Sequence, residues 1–229
     1  MSRVPREIED TMTPLSVDDL LVGFWYGFCH LMGGPPDNLA ALELVTAHVK
    51  TETGLRHCHN FAIGNRKSAD GDGLDYQYYA CNEILDTPHA EKLSAADPKH
   101  VVITERRSGG KCVVWFYPKH RGCRFAAFES LAEACMHHLS FLMRRDKVWS
   151  ALVHADPVKY CSELESVRYY TADKEDYTKT VVDCFCDVQR RRFDFSALPV
   201  LGEHEKERLR GLSGIILDAA SNGDITPIA

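Results

Sequence analysis

The sequence predicts an α+β chain that is mainly α: a helical domain interrupted by a small antiparallel β lobe. Apolar residues recur at helical spacing before about residue 54 and again after about residue 130. Between these regions the helical period is lost, and stretches rich in β-branched and aromatic residues take its place. Gly-Gly-Pro-Pro at 33–36 and Ser108-Gly109-Gly110 punctuate the two regimes.

Residues 1–15 read as a polar leader. Ser16 opens the first helix, with Asp18 and Asp19 in the turn where the helix dipole favours acids, and LLVGFWYGFCHLM runs to the stop at Gly33. Asp37 or Asn38 caps a second helix, LAALELVTAHVKTETG, closed by Gly54. HNFAIGNRKSADGDG reads as loop, with Gly64, Gly71 and Gly73 as breakers. LDYQYYACNEIL, VVITERR and KCVVWFYP read as strands, the last two joined as a hairpin, so the β lobe is expected at about 60–125. Ser130 to Glu133 matches a capping box ahead of LAEACMHHLSFLMRR. Two short helices separated by Pro157 follow, then a longer one with Tyr177, Val181, Cys184 and Val188 at core spacing. Residues 193–229 form a C-terminal extension in which EKERLRGLSGIILDAA suits one more amphipathic helix.

Composition narrows the functional classes. The chain has 229 residues, 45% hydrophobic and 26% charged, which is enough apolar material for a core and excludes disorder as the dominant state. The formal charge of -6 argues against a protein that grips nucleic-acid phosphates. No apolar run is long enough for membrane insertion and no secretory signal is visible, so synthesis in the cytoplasm is expected. The nine cysteines are odd in number and scattered, which suits free thiols rather than a disulfide framework. His57-Cys58-His59 matches no zinc spacing, and no HExxH is present.

The most informative residue is Glu52. Leu42, Val45, Val49 and Glu52 lie at spacings of three, four and three and share one helix face. A carboxyl in the last turn of that face is partly desolvated and close to the negative end of the dipole, and both effects favour its protonated form. That form can protonate a leaving group. The alternative is a solvated helix-terminal acid.

The segment LELVTAHVKTETGLRHCHNFAIGNRKS resembles the glucosaminidase family of peptidoglycan hydrolases, in its phage and phage-like branch. The matching positions are Glu52-Thr53-Gly54, His59-Asn60-Phe61 and Gly64-Asn65-Arg66-Lys67. Three more blocks follow in order: Tyr79 to Glu83, Cys123 to Phe128 with Ser130-Leu131, and Tyr169-Tyr170-Thr171-Ala172-Asp173 with Tyr177. Together they span about residues 16–192.

The resemblance implies a lysozyme-like fold and cleavage of β-1,4 bonds in peptidoglycan glycan strands, without a cofactor or a metal. Glu52 is then the general acid. Glu83 is the candidate second carboxylate, with Asp70, Asp72 and Asp75 as loop alternatives. Tyr170 orients the sugar or water, and Tyr169, Asn60 and Asn65 are candidates for substrate binding. Two departures bear on specificity: Leu55-Arg56 stand where the family has an aromatic residue, and residues 84–112 form a long polar insertion. A lytic transglycosylase uses the same glutamic acid, and a non-catalytic wall-binding or virion protein is the alternative outside enzymology. The expected settings are a phage lysin, a component of a phage particle, or an effector delivered by a secretion machine.

Overall fold

A computed structural model describes residues 4–56, 58–65, 67–68, 73–170 and 172–198. In chain order the elements are α1 (Val17–Met32), α2 (Ala40–Thr53), β1 (Tyr76–Tyr78), β2 (Cys81–Asp86), α3 (Thr87–Ala96), β3 (Val101–Arg107), β4 (Lys111–Phe116), β5 (Arg124–Ala126), α4 (Leu131–Met143), α5 (Asp146–Val153), α6 (Pro157–Ser166) and α7 (Lys174–Arg190). The architecture is α+β and mainly α. Among the described residues no helix is long and apolar enough to cross a membrane. The chain divides into two compact units, one drawn from residues 1–11 and 66–127, the other from 12–65 and 128–229. The predicted helix at the C-terminal end falls in 199–229, outside the described residues.

In the helical unit, the helix starts follow local chemistry. Ser16 and Asp19 form a reciprocal capping box, Ser16 Oγ accepting the Asp19 N–H at 3.0 Å and Asp19 Oδ2 accepting the Ser16 N–H at 2.8 Å. Ser130 caps α4 through the Glu133 N–H, while Glu133 reaches back to the Glu129 N–H instead of closing the box. Asp156 and Asp173 cap α6 and α7. The start of α2 differs from expectation. Leu39 occupies its cap position without a side-chain bond, and Asn38 Oδ1 takes the Ala40 N–H at 3.2 Å from one residue further out.

Leu20, Leu21, Phe24 and Phe28 of α1 and Leu42, Leu44, Val45 and Val49 of α2 are all buried. Each such side chain stabilises the fold by roughly 1.5–3 kcal/mol relative to exposure. Residue 184 was expected on the buried stripe of α7, but the stripe is Tyr177, Val181, Phe185 and Val188, and Cys184 is only part-buried. At this point the helical repeat places residue 185 closer to the core than residue 184.

Helices α1 and α4 approach closely at Gly23 and Gly27. A Cβ on Gly27 would stand 2.8 Å from Leu139 Cδ1, in a fully buried side chain. Gly27→Leu is therefore expected to cost about 1–3 kcal/mol by overpacking. A lower urea midpoint at unchanged slope is the readout.

In the second unit, β2, β4 and β3 make an antiparallel sheet in the order β2-β4-β3, and β1 pairs separately with β5. The stretch LDYQYYACNEIL thus holds two strands belonging to two sheets. The β3–β4 hairpin forms as its Ser108-Gly109-Gly110 turn predicts. Part of the polar insertion is helical, because Pro88 in the first turn of α3 pre-sets the helix start and Ala90 packs into the sheet core. That core holds Tyr79, Val101, Cys112, Val114, Phe116 and Phe125, with the Tyr79 and Phe125 rings stacked at 3.9 Å.

The described residues of the leader bond within each unit. Ile8 donates to Tyr76 O and Tyr76 to Arg6 O beside β1, while Thr13 donates to Cys58 O in the helical unit. Arg6 grips the buried Asp75 through its guanidinium, at 2.7 and 3.2 Å, and through its backbone N–H, at 2.8 Å.

Candidate functional site

Glu52 stands in the last turn of α2, which packs against α1, α5 and α7. Gly54 ends the helix in the left-handed conformation and donates its N–H to Lys50 O. The Glu52 side chain keeps 18% of its surface exposed, so it can be reached from solvent although its neighbours are largely buried. The Tyr177 hydroxyl, from the first turn of α7, donates to Glu52 Oε1 at 2.5 Å. Burial first, then the negative charge of Glu52, raises the Tyr177 pKa far above the ordinary tyrosine range, which keeps the hydroxyl a donor.

Tyr170, the expected orienting tyrosine, takes a supporting place. Its ring stacks on Tyr177 at 3.7 Å and 13°, while its hydroxyl donates to Cys161 O at 3.1 Å. The family-like ending of the chain does supply a tyrosine to Glu52, but it is Tyr177, which helical spacing alone marks as core.

One turn before Glu52, His48 is completely buried, with Nε2 3.8 Å from Glu52 Oε1. Its Nδ1 shares a 2.7 Å hydrogen bond with the Tyr160 hydroxyl of α6. The rings of Tyr169, His138 and Tyr160 surround it at 4.9, 5.4 and 5.4 Å. Burial, and after it the positive charge available to His138, holds the His48 pKa well below its usual value.

The unfolded chain therefore binds a proton on this residue that the folded chain refuses. The stability that follows is complete above about pH 6.5 and is lost as pH falls from there toward the folded-state pKa, at up to about 1.4 kcal/mol per pH unit. Melting curves from pH 7.5 to 5 are expected to show a shallower acid loss in His48→Gln than in wild type. Equal slopes would refute the assignment.

Tyr169 packs on His48 and Phe141, and its hydroxyl donates to Gly64 O at 3.2 Å. It is thus a wall of the Glu52 environment, and burial followed by the charge of Glu52 raises its pKa. Asn60 is left-handed at φ 43° and its carbonyl accepts the Phe128 N–H. Asn65 ends the short 3-10 turn Ile63–Asn65, and the position of its side chain is outside what is described.

Glu83 lies in the other unit, on β2 opposite Val114, and pairs with Lys67 Nζ at 3.3 Å. Lys67 also donates to Gly122 O at 2.6 Å and lies over the Phe125 ring. Asp75 is committed to Arg6, and Asp70, Asp72, His57 and Thr171 lie outside the described residues.

Comparison of the chain with family models, curated proteins and solved structures finds no match in any of the three. All nine cysteines are free thiols, six of them buried. Cys58 is fully buried, and burial raises its pKa, which is the wrong direction for a thiolate nucleophile. Among the described residues no three His, Cys, Asp or Glu side chains converge as metal ligands would.

The sequence singles out neither His48 nor Tyr160 beside Glu52, and it marks Tyr177 only as a core position and as part of the fourth resembling block. His48 had a usable signal, since a histidine four residues before a candidate acid shares its helix face. Tyr160 had none, and Tyr177 had its core spacing and its place in the fourth block.

Proposed function

We propose that this chain is a peptidoglycan hydrolase that cleaves β-1,4 glycosidic bonds with Glu52 as general acid. The observation that carries the reading is a solvent-reachable carboxyl at the end of an apolar helix, held by a buried tyrosine hydroxyl. A carboxyl so held has a fixed orientation, and its proton can be given to the oxygen of a bound glycosidic bond. The four sequence blocks that resemble glucosaminidases add the substrate class and a lysozyme-like fold.

The contacts support these roles. Glu52 protonates the leaving oxygen, and Tyr177 fixes the carboxyl's orientation. Tyr170 backs Tyr177 by stacking, and Tyr169 shields the site's inner wall. Glu83, paired with Lys67, is the candidate second carboxylate, and water or the substrate's own N-acetyl oxygen are the alternatives for meeting the developing oxocarbenium ion. If the sugar's 6-hydroxyl attacks in place of water, the same Glu52 serves a lytic transglycosylase.

Purified peptidoglycan digested by wild type and by Glu52→Gln, with mass spectrometry of the soluble products, tests the proposal. Muropeptides from wild type alone support the acid role, and the end group assigns the reaction. A reducing sugar means hydrolysis and names the bond, whereas an anhydro end means transglycosylation. Equal products from both proteins would remove Glu52 from the role, and no product from either would favour a wall-binding or virion component.

A further inference from the structure

We propose that His48 is a positioning residue for Glu52, its tautomer set by Tyr160 so that Nε2–H faces the Glu52 carboxyl. The role in catalysis rests on the reading of Glu52 as the acid; the tautomer does not.

Tyr160 and His48 are both fully buried and share one 2.7 Å hydrogen bond at Nδ1. His48 Nε2 makes no hydrogen bond among the described residues and points to Glu52 Oε1 at 3.8 Å. If Nδ1 carried the proton, it would donate to the tyrosine oxygen. The Tyr160 O–H would then need another buried acceptor, and the Nε2 lone pair would face a carboxyl oxygen.

If Tyr160 donates to Nδ1, both its proton and the Nδ1 lone pair are satisfied, and Nε2–H is aimed at an acceptor. One orphaned buried group shifts such an equilibrium by about tenfold or more. The rings of Tyr169, His138 and Tyr160 close the imidazole in, so it has little freedom to turn away. A lowered pKa keeps it neutral, and therefore a single donor toward Glu52.

At 3.8 Å the pair is too long for a hydrogen bond. When Glu52 gives its proton to the glycosidic oxygen it becomes a carboxylate, and the approach of Nε2–H then stabilises the new charge. His48 itself neither gains nor loses a proton. Such contacts commonly tighten only as the reaction proceeds.

Long-range 1H–15N correlation spectra of the full chain labelled on histidine nitrogens read the tautomer directly. The expected result is a neutral His48 protonated on Nε2 at pH 7, with the Nδ1–H form rising about tenfold in population in Tyr160→Phe. A wild-type Nδ1–H form, a cationic ring, or a pattern unchanged in Tyr160→Phe would overturn the proposal. If Tyr160→Phe does not fold, the wild-type spectrum still decides.

Glycan cleavage supplies the second readout. His48→Gln, whose amide nitrogen can donate from nearly the same place, is expected to stay within about threefold of wild-type kcat, whereas His48→Ala falls about tenfold or more at similar KM. Equal loss in both variants would refute positioning by a donor. Should wild type cleave no glycan, the functional reading fails while the spectrum still judges the tautomer.

Discussion

Replacing Glu52 by glutamine is expected to leave the fold in place and, on the proposed role of Glu52 as general acid, to lower glycan cleavage by about 10²–10⁴-fold. The substitution separates chemistry from structure for a specific reason. Tyr177 donates to Glu52 Oε1, and a glutamine carbonyl accepts the same hydrogen bond in nearly the same volume. What disappears is the dissociable proton. Thermal stability should therefore move by no more than about 1 kcal/mol, since a hydrogen bond is kept. Initial rates on purified glycan, paired with melting curves, make the comparison, and a variant that retains a tenth or more of the wild-type rate would sink the assignment. Tyr177→Phe offers a graded companion: it keeps the stack on Tyr170 and removes only the hydroxyl.

Gly64→Ala is expected to destabilise the helical unit by roughly 2–4 kcal/mol, through backbone strain and overpacking together. Gly64 has φ 68°, a region costly for any residue with a Cβ. A Cβ there would also stand 2.8 Å from His138 Cε1 and 3.1 Å from the Tyr169 hydroxyl, which donates to the Gly64 carbonyl. His138 and Tyr169 both pack on His48, so any shift that relieves the overlap reaches the surroundings of Glu52. Urea unfolding measures the first effect and kcat the second. A midpoint unchanged from wild type would show that the turn relaxes freely.

The two substitutions bracket what could be read before the fold was known. Glu52 was legible because it sits at a core position of an apolar helix, where a carboxyl is out of place. Gly64 was legible as a loop breaker, but the rings above it were not, since they arrive from residues 138 and 169. The resemblance assigns Tyr170 to orienting the sugar or water, whereas the hydroxyl that bonds Glu52 is that of Tyr177. Both are aromatic and both stand near the start of α7, so only the packing of that helix on α2 separates a hydroxyl that reaches Glu52 from one that turns to Cys161. Glu83 and Asp75 fit any search for a second carboxylate, yet each is claimed by a cation, Lys67 or Arg6, remote from it in sequence.

By itself, then, the sequence determined what depends on neighbours within a few residues. The α+β, mainly helical order of elements, the caps at Ser16, Ser130 and Gly54, the hairpin at Ser108 to Gly110, and the placement of Glu52 at a helix end all follow from local hydrogen bonding and from the 3.6 and 2.0 residue periods. Only the tertiary structure decided the partners of Glu52, the burial of His48 against Tyr160, the split of one apparent strand between two sheets, and the bond of the leader to Asp75. Those contacts join residues from about 30 to more than 120 positions apart. Their energy appears only when distant segments exclude water together, and no local pattern records it.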